Sequence, residues 1–142
     1  MNKLIYIITL MLLCACNSKP RVIAYGKDNC HYCKMTIVDQ QHASELVTKK
    51  GKIYVYDAIE CMLYDLKDHP ERDYKYHLVN TYNNPKILKN AHQSIYLISE
   101  KLPSPMGANL TAFKDIEQGE IMLQELGGKL YSWDDLKKQF NL

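Results

Sequence analysis

Cys30-His31-Tyr32-Cys33-Lys34-Met35 sets three sulfur atoms and an imidazole within six positions. The two-residue gap between the cysteines lets both thiolates reach one ion. Thiolate and thioether are soft donors that select Cu(I) over Mg(II), Ca(II) or Mn(II). A lone CxxC serves several chemistries, and its neighbours discriminate among them. Haem attachment requires His directly after the second cysteine, where Lys34 stands. A structural zinc site asks for a second CxxC or a spaced His pair, and no second CxxC follows. A thioredoxin-type pair sits where a strand runs into a helix, whereas Cys33 is followed by strand-forming Met35-Thr36-Ile37-Val38. An oxidoreductase with Cys30 attacking and Cys33 resolving therefore ranks below a metal site. The blandest alternative is a structural Cys30–Cys33 disulfide.

A methionine in a strand is ordinarily core filler, so Met35 alone decides little. Met106 adds to it. In Pro103-Ser104-Pro105-Met106-Gly107 two prolines stiffen the backbone and Gly107 permits a tight turn, which holds the thioether outside any regular element. The expected ligands are Cys30, Cys33, Met35 and Met106, with Cys61 and His31 as auxiliaries. Cys61 falls near the start of a predicted helix and off its apolar stripe, where the helix dipole favours a thiolate; an inert half-buried thiol is the competing reading. Met62 and Met122 lie on helical segments and are assigned to packing. His42, His69, His77 and His92 are expected at surface or strand positions.

The elements that must position these residues read as α+β. Ser44 to Lys49 and Lys52 to Tyr56 alternate around Lys50-Gly51 as a hairpin. Asp57-Ala58-Ile59-Glu60 has the form of a capping box, with Asp57 accepting from backbone N–H groups and Glu60 reaching back. Ile59, Met62, Leu63 and Leu66 then make one apolar stripe that ends before His69-Pro70. Tyr74 to Tyr82, Ser94 to Ser99 and Asn109 to Phe113 read as strands. Asp115 to Leu126 reads as a helix stopped by Gly127-Gly128, and Ser132 caps a short terminal helix. Phe113-Lys114-Asp115-Ile116-Glu117 echoes Tyr56-Asp57-Ala58-Ile59-Glu60, which predicts two related strand-strand-helix units.

Lys3 followed by the apolar run Leu4 to Leu13 has the form of an export signal. The run is too short to cross a bilayer, since a spanning helix needs roughly 20 apolar residues. Leu13-Cys14-Ala15-Cys16 closes it as a lipobox, which predicts removal of residues 1–15 and lipidation of Cys16. Residues 16–24 are then a tether, and residues 25–142 one domain of two repeats, about 25–84 and 85–142. The chain carries 18 basic and 16 acidic residues among its 142; only Lys3 leaves with the leader, so no nucleic-acid-binding stripe is implied. No Ser-His-Asp order, phosphate loop or acidic metal motif supports a hydrolase or nucleotide enzyme.

Taken together, the lipobox, Cys30-x-x-Cys33-x-Met35, the Tyr56-Asp57 helix start and Met106-Gly107 resemble the NosL family of nitrous-oxide reductase accessory proteins, from Cys16 to about Phe113. The resemblance implies a pair of ββαβ units packed as one domain. It also implies an exported, non-catalytic Cu(I)-binding lipoprotein, anchored to a membrane of the cell envelope and facing the periplasm. Its implied partners are an apo copper enzyme such as nitrous-oxide reductase and a membrane transport complex. Family members commonly carry Gly between the second Cys and the Met, where this chain has Lys34. The alternatives are an envelope thiol-disulfide oxidoreductase using Cys30 and Cys33, and a structural lipoprotein that binds another protein.

Overall fold

The computed structural model describes residues 19–142; the expected export signal and Cys16 lie outside the described residues. β1 (Ser44–Thr48), buried at every position, and β2 (Ile53–Tyr56), rich in β-branched and aromatic residues, pair antiparallel across a turn where Gly51 takes φ 90°. The helix α1 (Ile59–Asp68) follows, then β3 (Tyr74–Thr81) and β4 (Asn84–Asn90). A 3-10 turn, Ala91–Gln93, leads to β5 (Ile95–Ile98), β6 (Leu110–Phe113), α2 (Ile116–Leu126), β7 (Lys129–Tyr131) and α3 (Trp133–Gln139).

The strands make two antiparallel sheets, ordered β2-β1-β3-β4 and β6-β5-β7. In β1-β2-α1-β3 and again in β5-β6-α2-β7, the first strand is central, the second and third flank it, and the helix connects those two flanks. This is the α+β pair of ββαβ units that the resemblance implies, and it contains the strand-strand-helix repeat read from the sequence. One continuous core joins them: Leu46, Tyr56, Ile59, Met62 and Leu63 of the first unit cluster with Tyr96, Leu110, Ala112, Trp133 and Leu136 of the second. Met62 is fully buried, as its place in the stripe predicts. Burying each such side chain contributes about 1.5–3 kcal/mol.

Two strands were not visible in the sequence. β4 is an edge strand, largely exposed on both faces, containing Pro85 and a positive-φ Lys86 (65°); an edge tolerates both, and a strand without a buried face shows no alternation. β7 has only three residues.

Three expectations need correction. Met35 to Val38 does not form a regular strand, and only an isolated bridge, Asn29 to Thr36, appears there. The chain folds back on itself instead: Cys30 N–H donates to Met35 O at 2.8 Å, Ile37 N–H to Asp28 O at 2.8 Å and Gly26 N–H to Ile37 O at 2.8 Å. Its backbone groups are satisfied locally, which leaves no demand for a sheet partner. His42 is not a surface or strand residue. It is buried in the turn before β1, held by Asp39 through Nδ1 and by Thr111 through Nε2, each at 3.0 Å. The capping box at Asp57 does not form, and the reason lies in the site.

Candidate metal centre

The second unit shows what a capped start looks like. Asp115 is the N-cap of α2, and its side chain accepts from Gln118 N–H at 3.1 Å. In the first unit the equivalent position is Ala58, with no side-chain cap, and the acid stands one residue earlier. Asp57 makes no cap, and its Oδ1 accepts from Cys33 Sγ at 3.3 Å instead. Glu60 does not reach back either: it is buried and accepts from Ser104 Oγ through Oε1. Burial pushes the Glu60 carboxyl up. Ser104 Oγ also accepts from Leu110 N–H at 3.3 Å, which pins the Pro103–Gly107 loop to α1 beside Cys61.

One donor atom from each of Cys30, Cys33, Asp57 and Cys61 lies within 4.8 Å of all the others. The local fold explains the convergence. Lys34 N–H donates back to Cys30 O at 3.1 Å, which curls the CxxC into a turn, and His31 N–H docks that turn on β2 through Val55 O at 2.8 Å. Lys34 completes the turn at φ 68°, the left-handed region that favours glycine. The departure from the family's usual Gly thus keeps the backbone shape glycine would give. Cys61, one helical position beyond Glu60 and off the stripe of Ile59, Met62, Leu63 and Leu66, is fully buried rather than half-buried, and its sulfur joins this cluster.

All three cysteines are free thiols, and the disulfide alternative is not what the structure shows. Their electrostatics are unequal. A hydrogen bond from Cys61 draws the Cys30 thiol down to about 6; burial opposes it, and the backbone N–H groups of Asp57 and Cys33 assist. Cys61, donating to Cys30, buried, and facing the charges of Cys30 and Asp57, is pushed far up. The helix dipole expected to favour its thiolate is outweighed, because desolvation and two anionic neighbours act at closer range. Burial pushes Cys33 up to about 11, with Cys30 adding to the shift. The first negative charge therefore falls on Cys30, while Cys33 and Cys61 are held in the protonated form.

The remaining sequence candidates divide. Met106 lies in a turn outside regular structure, as expected, and packs partly buried against the core that includes Cys30 and Cys61. Met35 follows the CxxC turn but is 59% exposed. His31 turns elsewhere: its ring packs on Tyr54 at 4.5 Å between centroids, and Nε2 stands 4.0 Å from Asp65 Oδ1. It is not one of the four converging donors. Asp57 was missed as a site residue. The signal for it was the register of the internal echo, in which its acid falls one position before the one that caps in the second unit.

Three thiols and a carboxylate gathered at an uncapped helix start, on paired ββαβ units, define a thiol-rich protein equipped to hold a soft cation. The NosL family model matches residues 22–141, and the chain belongs to the NosL family. Among solved structures it is similar to the crystal structure of the copper chaperone NosL from Shewanella denitrificans, with TM-score 0.72 and 23% identity over 83% of this chain and 95% of that one. No curated protein matches the chain.

Proposed function

We propose that this chain is a Cu(I) carrier of the bacterial envelope, lipid-anchored through Cys16, that passes copper to an exported copper enzyme. The observation that carries this reading is the convergence of three thiols on one point. Thiolates are soft donors that suit Cu(I), and the solved relative is named a copper chaperone. Copper is cargo here. The ion meets the Cys30 thiolate first, and binding then displaces the protons of Cys33 and Cys61, its charge offsetting the burial and the neighbouring negative charge that hold them on. Cys30, Asp57 and Cys61 are buried whereas Cys33 is half-buried, so the ion is approached from the Cys33 side. Met35, two residues after Cys33, is exposed, and Met106 packs partly buried against the core that includes Cys30 and Cys61. A soft ligand of the receiving enzyme displaces the outer donors first.

Anaerobic competition against a chromophoric Cu(I) chelator tests the site. One Cu(I) per chain is expected, with Cys61→Ser and Cys33→Ser each at least about tenfold weaker, since even outer-shell changes at metal sites cost that much. Met35→Ala and Met106→Ala should each weaken binding less. Parent-like affinity in Cys61→Ser would remove the three-thiol site. Transfer is read by mixing the loaded protein with an apo copper enzyme of the nitrous-oxide reductase type; copper that stays on this chain counts against delivery. For the anchor, Cys16→Ser should abolish added lipid mass and membrane partitioning, and a mature form beginning at another residue would dismiss the lipoprotein reading.

A lowered Cys30 beside a raised Cys33 also invites the oxidoreductase reading. The arrangement is the wrong way round for it. An attacking thiol needs both thiolate character and access, yet Cys30 is 1% exposed while the accessible Cys33 is the one held protonated. Disulfide reductase turnover in the Met35→Ala, Met106→Ala double variant, together with absent copper transfer by the parent, would reverse the ranking.

A further inference from the structure

Three elements whose residues supply none of the four converging donors bring a second set of metal-binding groups together. His77 on β3 and His92 on the 3-10 turn face each other, with Nδ1 of the first 3.3 Å from Nε2 of the second. Their rings are nearly perpendicular, at 80° with centroids 5.0 Å apart. Trp133, the first residue of α3, lies against both, 5.9 Å from His77 and 5.2 Å from His92 between ring centroids. Trp133 is itself buried and backed by Tyr96 at 5.9 Å, so it forms a fixed wall. Tyr74 stands edge-on to His77 at 5.6 Å. An open concavity is lined by Tyr74, His77, His92, Trp133 and Lys137, and a small ligand reaches both nitrogens from solvent.

We propose that His77 and His92 form a second, imidazole-based site for a divalent transition ion, taking Cu(II) in preference to Ni(II) or Zn(II), beside the Trp133 ring. The spacing carries the argument. Two nitrogens bound at about 2.0–2.1 Å to one ion lie about 2.9 Å apart at the right angle of a tetragonal site and about 3.3 Å apart at the tetrahedral angle, so the 3.3 Å separation present needs only a slight closure to take Cu(II). Imidazole suits copper, nickel and zinc, and affinity within such a site peaks at Cu(II).

The protonation state agrees. Burial lowers His77 to about 4, with His92 and Lys137 adding to it, and burial also lowers His92. Both rings are neutral at neutral pH. A tautomer shift that places each N–H on the far nitrogen then frees both facing lone pairs without net proton release. Lys137 is the cation facing the pair and opposes a metal ion, but it is tied to Asp134 at 2.9 Å, and Asp134 favours positive charge at His92. Water completes the coordination on the open side. This donor set is harder than the thiol cluster, so the two sites select different oxidation states of one element. The inference does not depend on the carrier reading.

Trp133 is the sole tryptophan of the chain, which supplies a local reporter. The whole protein is first given Ag(I), one equivalent per chain, to occupy the thiols with a soft, redox-inert ion, and then titrated with Cu(II). Trp133 emission should be quenched to a plateau at one equivalent of Cu(II), and the frozen sample should show electron paramagnetic resonance hyperfine splitting from two nitrogens. His92 is exposed, so His92→Gln should keep the fold and weaken binding at least about tenfold, by the same comparison with outer-shell losses. His77→Gln should do likewise, with circular dichroism checking its fold. Quenching that persists unchanged in His92→Gln, or a Cu(II) signal without paired nitrogen splitting, would overturn the site and leave His77–His92 a hydrogen bond within an aromatic cluster. Neither outcome touches the Ag(I) stoichiometry, so failure here is separable from failure of the thiol site.

Discussion

A side chain's chemistry is set by what surrounds it more than by its type. Three cysteines whose sulfurs lie within 4.8 Å of one another titrate apart, Cys30 drawn down and Cys33 and Cys61 pushed up, because hydrogen bonding, burial and neighbouring charge fall unequally on them. Glu45 shows the same rule away from the site. It is buried on β1, where Oε1 accepts from Arg21 N–H at 3.1 Å and Oε2 has no partner. Burial pushes its carboxyl from 4.5 up to about 7. The folded state therefore keeps a proton that the unfolded chain loses. This favours folding fully below pH 4.5, and the contribution is lost as pH rises through about 7. Glu45→Gln should flatten the fall in urea-unfolding free energy across that window and stabilise the protein above pH 7 by about 1–3 kcal/mol. An unaltered pH profile would assign the fall to other groups.

The same contrast operates between elements. The two helix starts descend from one pattern, and a shift of the acid by a single residue converts a cap into a site residue. α2 gains a satisfied N-terminus from Asp115; α1 gives that up, and Asp57 faces the thiols. The CxxC turn depends on Lys34 at φ 68°, a conformation that costs a residue with a Cβ roughly 1–2 kcal/mol. Lys34→Gly should keep the turn and raise stability by up to about 1 kcal/mol, the gain being trimmed by glycine's freedom in the unfolded chain. Lys34→Val should lower it, since a β-branched residue fits this region worst. Melting temperatures of the two variants, with Cu(I) stoichiometry alongside, decide it; equal melting temperatures would mean the turn does not retain this geometry.

At the scale of the whole molecule, the two sheets share one buried core, and hydrogen bonds tie them across it. His42 reaches from the turn before β1 to Thr111 on β6, and Tyr82 N–H at the end of β3 donates to Ala112 O at 2.8 Å. His42→Ala removes both ring hydrogen bonds and leaves Thr111 Oγ without that partner in the core. A loss of about 2–3 kcal/mol is expected in urea unfolding, in keeping with stranding a buried polar group. A change under 0.5 kcal/mol, the scale of neutral surface substitutions, would show that the sheets do not rely on this tie.

The sequence alone determined what is local: the hairpin, the apolar stripe of α1, the extent of α2 up to its glycine stop, the Ser132 cap of α3, and the strand-strand-helix grammar of each unit. Each rests on neighbours a few residues apart, where periodicity and capping act. It also presented Met106 as a loop residue, because proline and glycine punctuate the backbone directly. Only the tertiary structure decided that Cys61 and Asp57 meet Cys30 and Cys33, that His31 turns to Tyr54 and Asp65, and that His77 and His92 face each other over Trp133. These contacts join residues far apart in sequence. Whether a sulfur ends as ligand, filler or exposed thioether depends on burial and charge that no local window contains.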